Sequence, residues 1–282
     1  MIRRILSTIS LWLIVILVPV FLGTQGGVWL LVAITALTQN ELYNLLAKTQ
    51  FKPRRLMGIS FGILIILATW YIPEYTQIPD HDAGTEVFAI ALIVINLTLL
   101  RRPSLAEMTS SLMPTLFGLT MVPFMLHYYV RLFRHYQDLD LPATGLVLTL
   151  WLIAVAKFTD VGALLIGKLF GNKKLAANIS PGKTIEGALG GIVTSSIIGA
   201  VIVFCFSRYM PENFSPLIAA IIAIPIAALS IASDLVESAL KRQAGVKDSG
   251  KVIPGIGGMF DLTDSLLFSA PLGFLLLRYT IF

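Results

Sequence analysis

Long apolar runs separated by short polar clusters set the pattern of this chain. Runs of this kind occupy residues 5–22, 28–46, 56–72, 87–100, 111–127, 145–167, 185–206, 216–234 and 264–282. A helix needs about 20 mainly apolar residues to cross the ~30 Å hydrocarbon layer. The pattern therefore predicts about nine transmembrane helices, with 87–100 short enough to draw on its flanks. The runs are continuous rather than alternating, which argues against a β-barrel. Residues 5–22 are longer than a typical signal-peptide core and lack a small-residue exit, so they are expected to be a retained helix. No internal repeat is visible.

Composition strengthens this reading. Hydrophobic residues make up 56% of the 282, and charged residues only 13%, against about 25% in ordinary soluble domains. A soluble enzyme, a disordered chain and a collagen-like fibre are excluded. Cys205 is the single cysteine, so neither an internal disulfide nor a paired-cysteine metal site can form. His81, His127 and His135 do not share one short metal-binding spacing. The expected fold is an all-α, polytopic membrane bundle.

Charge distribution predicts its orientation. With the N-terminus inside, sixteen of the 21 Lys and Arg fall on inner segments, while Arg131, Arg134, Arg208 and Arg278 fall outside and Lys157 lies within a span. Positive residues mark the cytoplasmic side. The N-terminus is expected in the cytoplasm and the C-terminus outside. For Lys48–Arg55 and for Arg101 with Arg102, topology control and attraction to anionic lipid are explanation enough.

The C-terminal inner loops are different, because there the bases are mixed with carboxylates, glycine and proline. Lys157 and Asp160 lie three apart on one helical face. Asp234, Glu237, Ser238 and Lys241 form one stripe, and Asp261 and Asp264 are again three apart. Charges within membrane helices point by default to a functional site. Carboxylates among lysines suit a hard divalent ion such as Mg²⁺, with substrate phosphates completing its shell. Lys183, Lys241, Arg242, Lys247 and Lys251 would neutralise the remaining phosphate charge. Either Ser180 with Pro181, or Thr184, is expected to start the next helix and present free N–H groups to an anion. The loop from Lys247 to Gly258 is glycine-rich but carries neither a Walker nor a dinucleotide fingerprint.

The stretch from Ser238 through Lys241-Arg242, Lys247-Asp248, Pro254-Gly255-Ile256-Gly257-Gly258 and Asp261-Leu262-Thr263-Asp264-Ser265 resembles the signature of the phosphatidate cytidylyltransferases. Ser233-Asp234-Leu235-Val236-Glu237-Ser238 is similar to their Gly-Asp-Leu-x-Glu-Ser. Asp160-Val161-Gly162-Ala163 and Ile179 to Gly187 are similar as well. The likeness covers about residues 160–265, and the N-terminal half matches only in general character. Two positions depart: Ile256 stands where the family usually has His, and Leu262 where it usually has Arg.

The resemblance implies transfer of the cytidylyl group from CTP to phosphatidate, giving CDP-diacylglycerol and pyrophosphate in phospholipid synthesis. It implies a divalent ion, Mg²⁺ by preference, held by Asp234 and Asp261 with Asp264 as a further ligand. Asp234, Lys241, Asp261 and Asp264 are the expected catalytic residues. Ser180, Lys183, Lys241, Arg242, Lys247 and Asp248 are the expected substrate contacts, with Asp160 a further candidate. Residues 1–143 are expected to be membrane helices facing lipid or a second copy, and 144–282 the catalytic region. The expected setting is the bacterial inner membrane with the site open to the cytoplasm. The expected partners are CTP, phosphatidate and membrane lipids, with no nucleic acid, and any self-association would be a homodimer. The rivals are a CTP-dependent polyprenol or phytol kinase, a cytidylyltransferase for another lipid phosphate, and a cation-coupled transporter. A CDP-alcohol phosphotransferase would need Asp-Gly-x-x-Ala-Arg, which is absent.

Overall fold

A computed structural model describes residues 2–76, 81–101, 104–255 and 257–281. Ile256, one of the two departures from the family pattern, lies outside the described residues. The apolar runs become helices α1 (Ile2–Ala47), α2 (Arg55–Thr76), α3 (Ala83–Leu97), α4 (Leu105–Glu107), α5 (Met113–Met121), α6 (Pro123–Asp138), α7 (Pro142–Phe170), α8 (Ile185–Cys205), α9 (Pro216–Gln243) and α10 (Met259–Ile281). Eight helical segments among the described residues are long and apolar enough to cross a membrane. This is an integral membrane protein.

The first two expected runs are two helices that meet at a kink within α1. The separation expected over residues 23–27 is narrowed to Gly23, whose φ of 66° and ψ of −169° lie outside the helical region and divide α1 into two helices. A second difference is a small antiparallel hairpin in this helical protein, β1 (Lys174–Ala176) with β2 (Ser180–Thr184). Ser180 and Pro181 therefore belong to a strand and do not begin α8. That role falls to Thr184, whose side chain accepts from the Gly187 N–H at 3.1 Å.

Beside the expected division at residues 143/144, packing defines two compact units. One comprises Met1–Arg134 with Leu240–Thr263, and the other His135–Ala239 with Asp264–Phe282. In the first unit, Ile65, Ala91, Ile95, Leu112 and Leu119 form an apolar cluster. Tyr43 is fully buried there and donates to the Thr115 carbonyl at 2.8 Å, while Gln39 donates to the Tyr43 hydroxyl and to the Gly58 carbonyl, each at 3.0 Å. These bonds tie α1 to α2 and α5. A buried hydroxyl needs such partners, because leaving it unpaired costs roughly 1–3 kcal/mol.

The second unit is built on α7 packed along α8. On α8, Gly187, Gly191, Ser195, Gly199 and Val203 are buried at four-residue intervals, while Leu189, Val193, Ile197 and Val201 are exposed. Small residues let the helix backbones approach, and large aliphatic ones face outward. The approach is close: a Cβ on Gly191 would lie 2.6 Å from the Thr159 carbonyl oxygen. Fully buried Trp151 fills the gap further along, donating to the Gly199 carbonyl at 3.0 Å.

One charged cluster in the first unit is structural. Asp82 caps α3 through the Thr85 N–H at 3.1 Å and accepts from the Thr85 hydroxyl at 2.6 Å. Arg131 of α6 pairs with it at 2.8 Å, and the buried His127 lies 3.6 Å away. Burial opposes ionisation of Asp82, yet His127, Thr85 and the Arg131 charge outweigh it and hold the carboxyl well below its usual range. Such a group stabilises the fold fully above its unfolded pKa, and that contribution fades as pH falls toward the folded value. Asp82→Ala is expected to lower the melting temperature in detergent, with about 1 kcal/mol coming from the lost cap alone. The gap from wild type should be widest at pH 7 and should narrow below about pH 4. A gap independent of pH would show that Asp82 acts through packing only.

Candidate active site

In the second unit, α7, α9, α10 and the hairpin gather charged side chains. Asp234 and Glu237 come from α9 and Asp264 from α10. Each offers one carboxylate oxygen, and the three oxygens lie within 4.8 Å of one another. Glu237 is fully buried. Two lysines balance this charge. Lys183 of β2 is ion-paired with Asp234. Lys157 of α7 lies 3.7 Å from Asp264 and 3.8 Å from Asp160, and it donates to the Ser265 hydroxyl at 2.7 Å.

Local structure explains these placements. Helical spacing puts Asp234 and Glu237 on one face of α9, and the Ser238 hydroxyl donates to Asp234 at 3.4 Å. The Ser265 N–H donates to Asp264 at 2.6 Å, and the Ser233 hydroxyl donates to the Asp264 backbone carbonyl. Lys183 depends on the hairpin root. There Glu186, in the first turn of α8, accepts from the Asn172 N–H at 3.1 Å and the Lys173 N–H at 3.2 Å.

In the first unit, a second polar group surrounds Asp261. Lys241 donates to Asp261 Oδ1 at 2.7 Å. Asp261 Oδ2 accepts from the Gly258 N–H at 2.7 Å, the Ser249 N–H at 2.9 Å and the Ser249 hydroxyl at 3.0 Å. A short bridge, with Ile253 and Gly257 exchanging N–H···O bonds of 2.9 and 3.1 Å, closes the intervening turn. Gly257 has φ of 135°, and a Cβ there would lie 2.5 Å from Asp261. Only glycine suits that turn.

Of the residues singled out from the sequence, Lys183, Asp234, Asp264 and Asp160 share the first group described, and Lys241 and Asp261 share the second. Arg242, Lys247 and Asp248 are exposed. Among the described residues, no hydrogen bond or ion pair joins Ser180, Lys247 or Asp248 to either group. Two carboxylates gain weight. Glu237 was visible in the α9 stripe but was not singled out as a ligand. Glu41 is the second, and a carboxylate inside the apolar run 28–46 is itself a signal in the sequence.

A sequence model of the cytidylyltransferase family matches residues 2–280. The chain belongs to the cytidylyltransferase family. It is 32% identical over 276 residues to a phosphatidate cytidylyltransferase of Staphylococcus saprophyticus, covering 96% of each chain. A phosphatidate cytidylyltransferase of Helicobacter pylori is 42% identical over 142 residues, 50% of this chain and 49% of that one. The uncharacterized protein YnbB of Escherichia coli is 40% identical over 145 residues, 50% of this chain and 47% of its own length. The full-length match bears out the family resemblance read from the signature.

Lys157 is the cation shared by Asp160 and Asp264, and its side chain is only 19% exposed. Removing that cation leaves two partly buried carboxylates facing each other uncompensated, a loss of about 1–3 kcal/mol. Lys157→Met is therefore expected to lower the melting temperature sharply, and adding Asp160→Asn should recover part of the loss. Equal melting temperatures for wild type and Lys157→Met would mean that solvent already screens the cluster.

Proposed function

We propose that this protein is a phosphatidate cytidylyltransferase, joining CTP to phosphatidate to give CDP-diacylglycerol and pyrophosphate. The observation that carries the reading is the group of Asp234, Glu237 and Asp264 with Lys183 and Lys157 beside it, in a membrane-embedded member of the cytidylyltransferase family. Three hard oxygen donors without sulfur or imidazole suit Mg²⁺, which keeps waters and takes substrate phosphates as its remaining ligands. Bound there, the ion would neutralise triphosphate charge and polarise the phosphoryl oxygens.

The reaction needs little else from the protein beyond positioning and charge neutralisation. A phosphate oxygen of phosphatidate attacks the α-phosphorus of CTP. The bond from that phosphorus to the bridging oxygen breaks, and pyrophosphate leaves with the electron pair. The nucleophile is already an anion, so no side chain has to remove a proton. Lys183 sits on a short hairpin and is paired with Asp234, from which an arriving phosphate can draw it. Lys241, aligned by Asp261, supplies a second phosphate contact.

In this reading Asp261 serves chiefly to fix Lys241 and the 249–258 turn, because both of its oxygens are engaged there. Leu262 leaves the site without the arginine its relatives usually carry. Lys247 and Lys251, exposed on the same loop, supply positive charge in its place, though without arginine's two-pronged geometry. The protein works in a bacterial inner membrane, with the hairpin and the 244–258 loop in the cytoplasm where CTP is available.

Purified protein supplied with CTP and Mg²⁺ tests this directly. Phosphatidate should elicit pyrophosphate and a CDP-lipid. Release of CDP with a free isoprenoid alcohol would instead make the protein a kinase, and nucleotide-independent flux across liposomes would make it a transporter. Sidedness is tested by Lys174→Cys in a Cys205→Ser background. An impermeant thiol reagent should label that cysteine in inverted vesicles and spare it in intact cells. Labelling from outside intact cells would reverse the proposed orientation.

A further inference from the structure

Glu41 lies in α1, within an apolar membrane segment, and is only 5% exposed. Burying a carboxylate is costly unless donors meet it. Its donors come from the far end of the sequence: the Phe260 N–H and the Ser249 hydroxyl both reach Glu41 Oε2 at 2.9 Å. The other oxygen, Oε1, has no hydrogen-bond partner among the described residues.

The start of α10 shows what these contacts do. A helix leaves its first N–H groups without intrahelical partners. Gly258, which precedes Met259, has no side chain to cap them. Its own N–H is taken by Asp261, three residues on, as in half of a capping box. The Phe260 N–H is taken by Glu41, and the Asp261 N–H reaches the Ser249 hydroxyl oxygen at 3.3 Å. The helix that carries Asp261 is thus capped from outside, by α1 and by the 244–258 loop.

Two glycines of the signature make room for this arrangement. A Cβ at Gly258 would lie 2.1 Å from Glu41 Oε2, and one at Gly250 would lie 2.4 Å from Glu41 Oε1. Ser249 completes the link, because its hydroxyl faces both Glu41 Oε2 at 2.9 Å and Asp261 Oδ2 at 3.0 Å. Its one hydrogen can go to either carboxylate, while backbone N–H groups hold both in place.

We propose that Glu41 is a positioning residue for the cytidylyltransferase site: it caps α10, locks Ser249, and thereby fixes the Asp261 carboxylate that aligns Lys241. It touches neither substrate nor metal in this scheme. The kinetic part of the inference rests on the proposed cytidylyl transfer, whereas the capping part does not.

Glutamine separates a need for an acceptor from a need for charge. Both donors converge on one oxygen of Glu41, and a carboxamide keeps one acceptor oxygen. Glu41→Gln should hold kcat within about threefold of wild type, and Glu41→Leu should reduce it about 10- to 100-fold, the usual range for supporting contacts. The Mg²⁺ concentration for half-maximal rate should be the same in both. Amide hydrogen exchange over residues 247–262, read without substrate, should be faster in Glu41→Leu and near wild type in Glu41→Gln. Should Glu41→Leu fail to fold, Ser249→Ala is the substitute, with faster exchange over the same segment and a reduced kcat.

Exchange and kcat in Glu41→Leu matching wild type would overturn the proposal. So would a Glu41→Gln variant as impaired as Glu41→Leu, because the charge itself would then be required. If wild type makes no CDP-lipid, the functional reading fails, and the exchange data still decide the capping role.

Discussion

A carboxylate set among apolar helices must be answered by cations or hydrogen-bond donors, and most of the polar architecture follows from that requirement. In one unit the answer is cationic: Lys183 meets Asp234, and Lys157 stands between Asp160 and Asp264. In the other it is a set of backbone N–H groups and one lysine around Asp261, with Glu41 satisfied by Phe260 and Ser249. Each lysine or N–H is delivered by a particular backbone feature: a hairpin, a helix start or a glycine turn. Within each unit packing supports these features, as the small-residue stripe of α8 does against α7.

Much of this was legible in the chain itself. Long apolar runs announce membrane helices, because hydrocarbon admits little else. Asp234 and Glu237, three apart in an otherwise apolar run, announce a functional face. The hairpin was not legible, because Lys174–Ala176 and Ser180–Thr184 are too short for a strand period to show. Ser180-Pro181 reads locally as a helix start, but the fold gives that start to Thr184. The break between the first two runs was legible, but not its length. Gly-Thr-Gln-Gly-Gly at 23–27 reads as a loop, yet only Gly23 departs from helical geometry.

The role of Glu41 is not legible in the sequence for a different reason. Its significance depends on contacts with residues 208 and 219 positions away, which no local pattern encodes. By local sequence alone, Gly250 and Gly258 read as generic turn residues. The structure gives them a specific cause, since a side chain at either would strike the Glu41 carboxylate. The N-terminal helices therefore supply more than membrane anchorage. One of them contributes a side chain on which the signature segment is folded.

Whether Asp234, Glu237 and Asp264 hold the divalent ion is open to direct spectroscopic measurement. Mn²⁺ is a hard, paramagnetic ion that binds oxygen ligands as Mg²⁺ does. Its binding to purified protein with CTP present can be followed by electron paramagnetic resonance. Tight binding to wild type and to Asp261→Asn, with loss of that binding in Asp234→Asn and Glu237→Gln, is the expected result. Undiminished Mn²⁺ binding in Glu237→Gln together with Asp234→Asn would contradict the assignment and place the ion elsewhere.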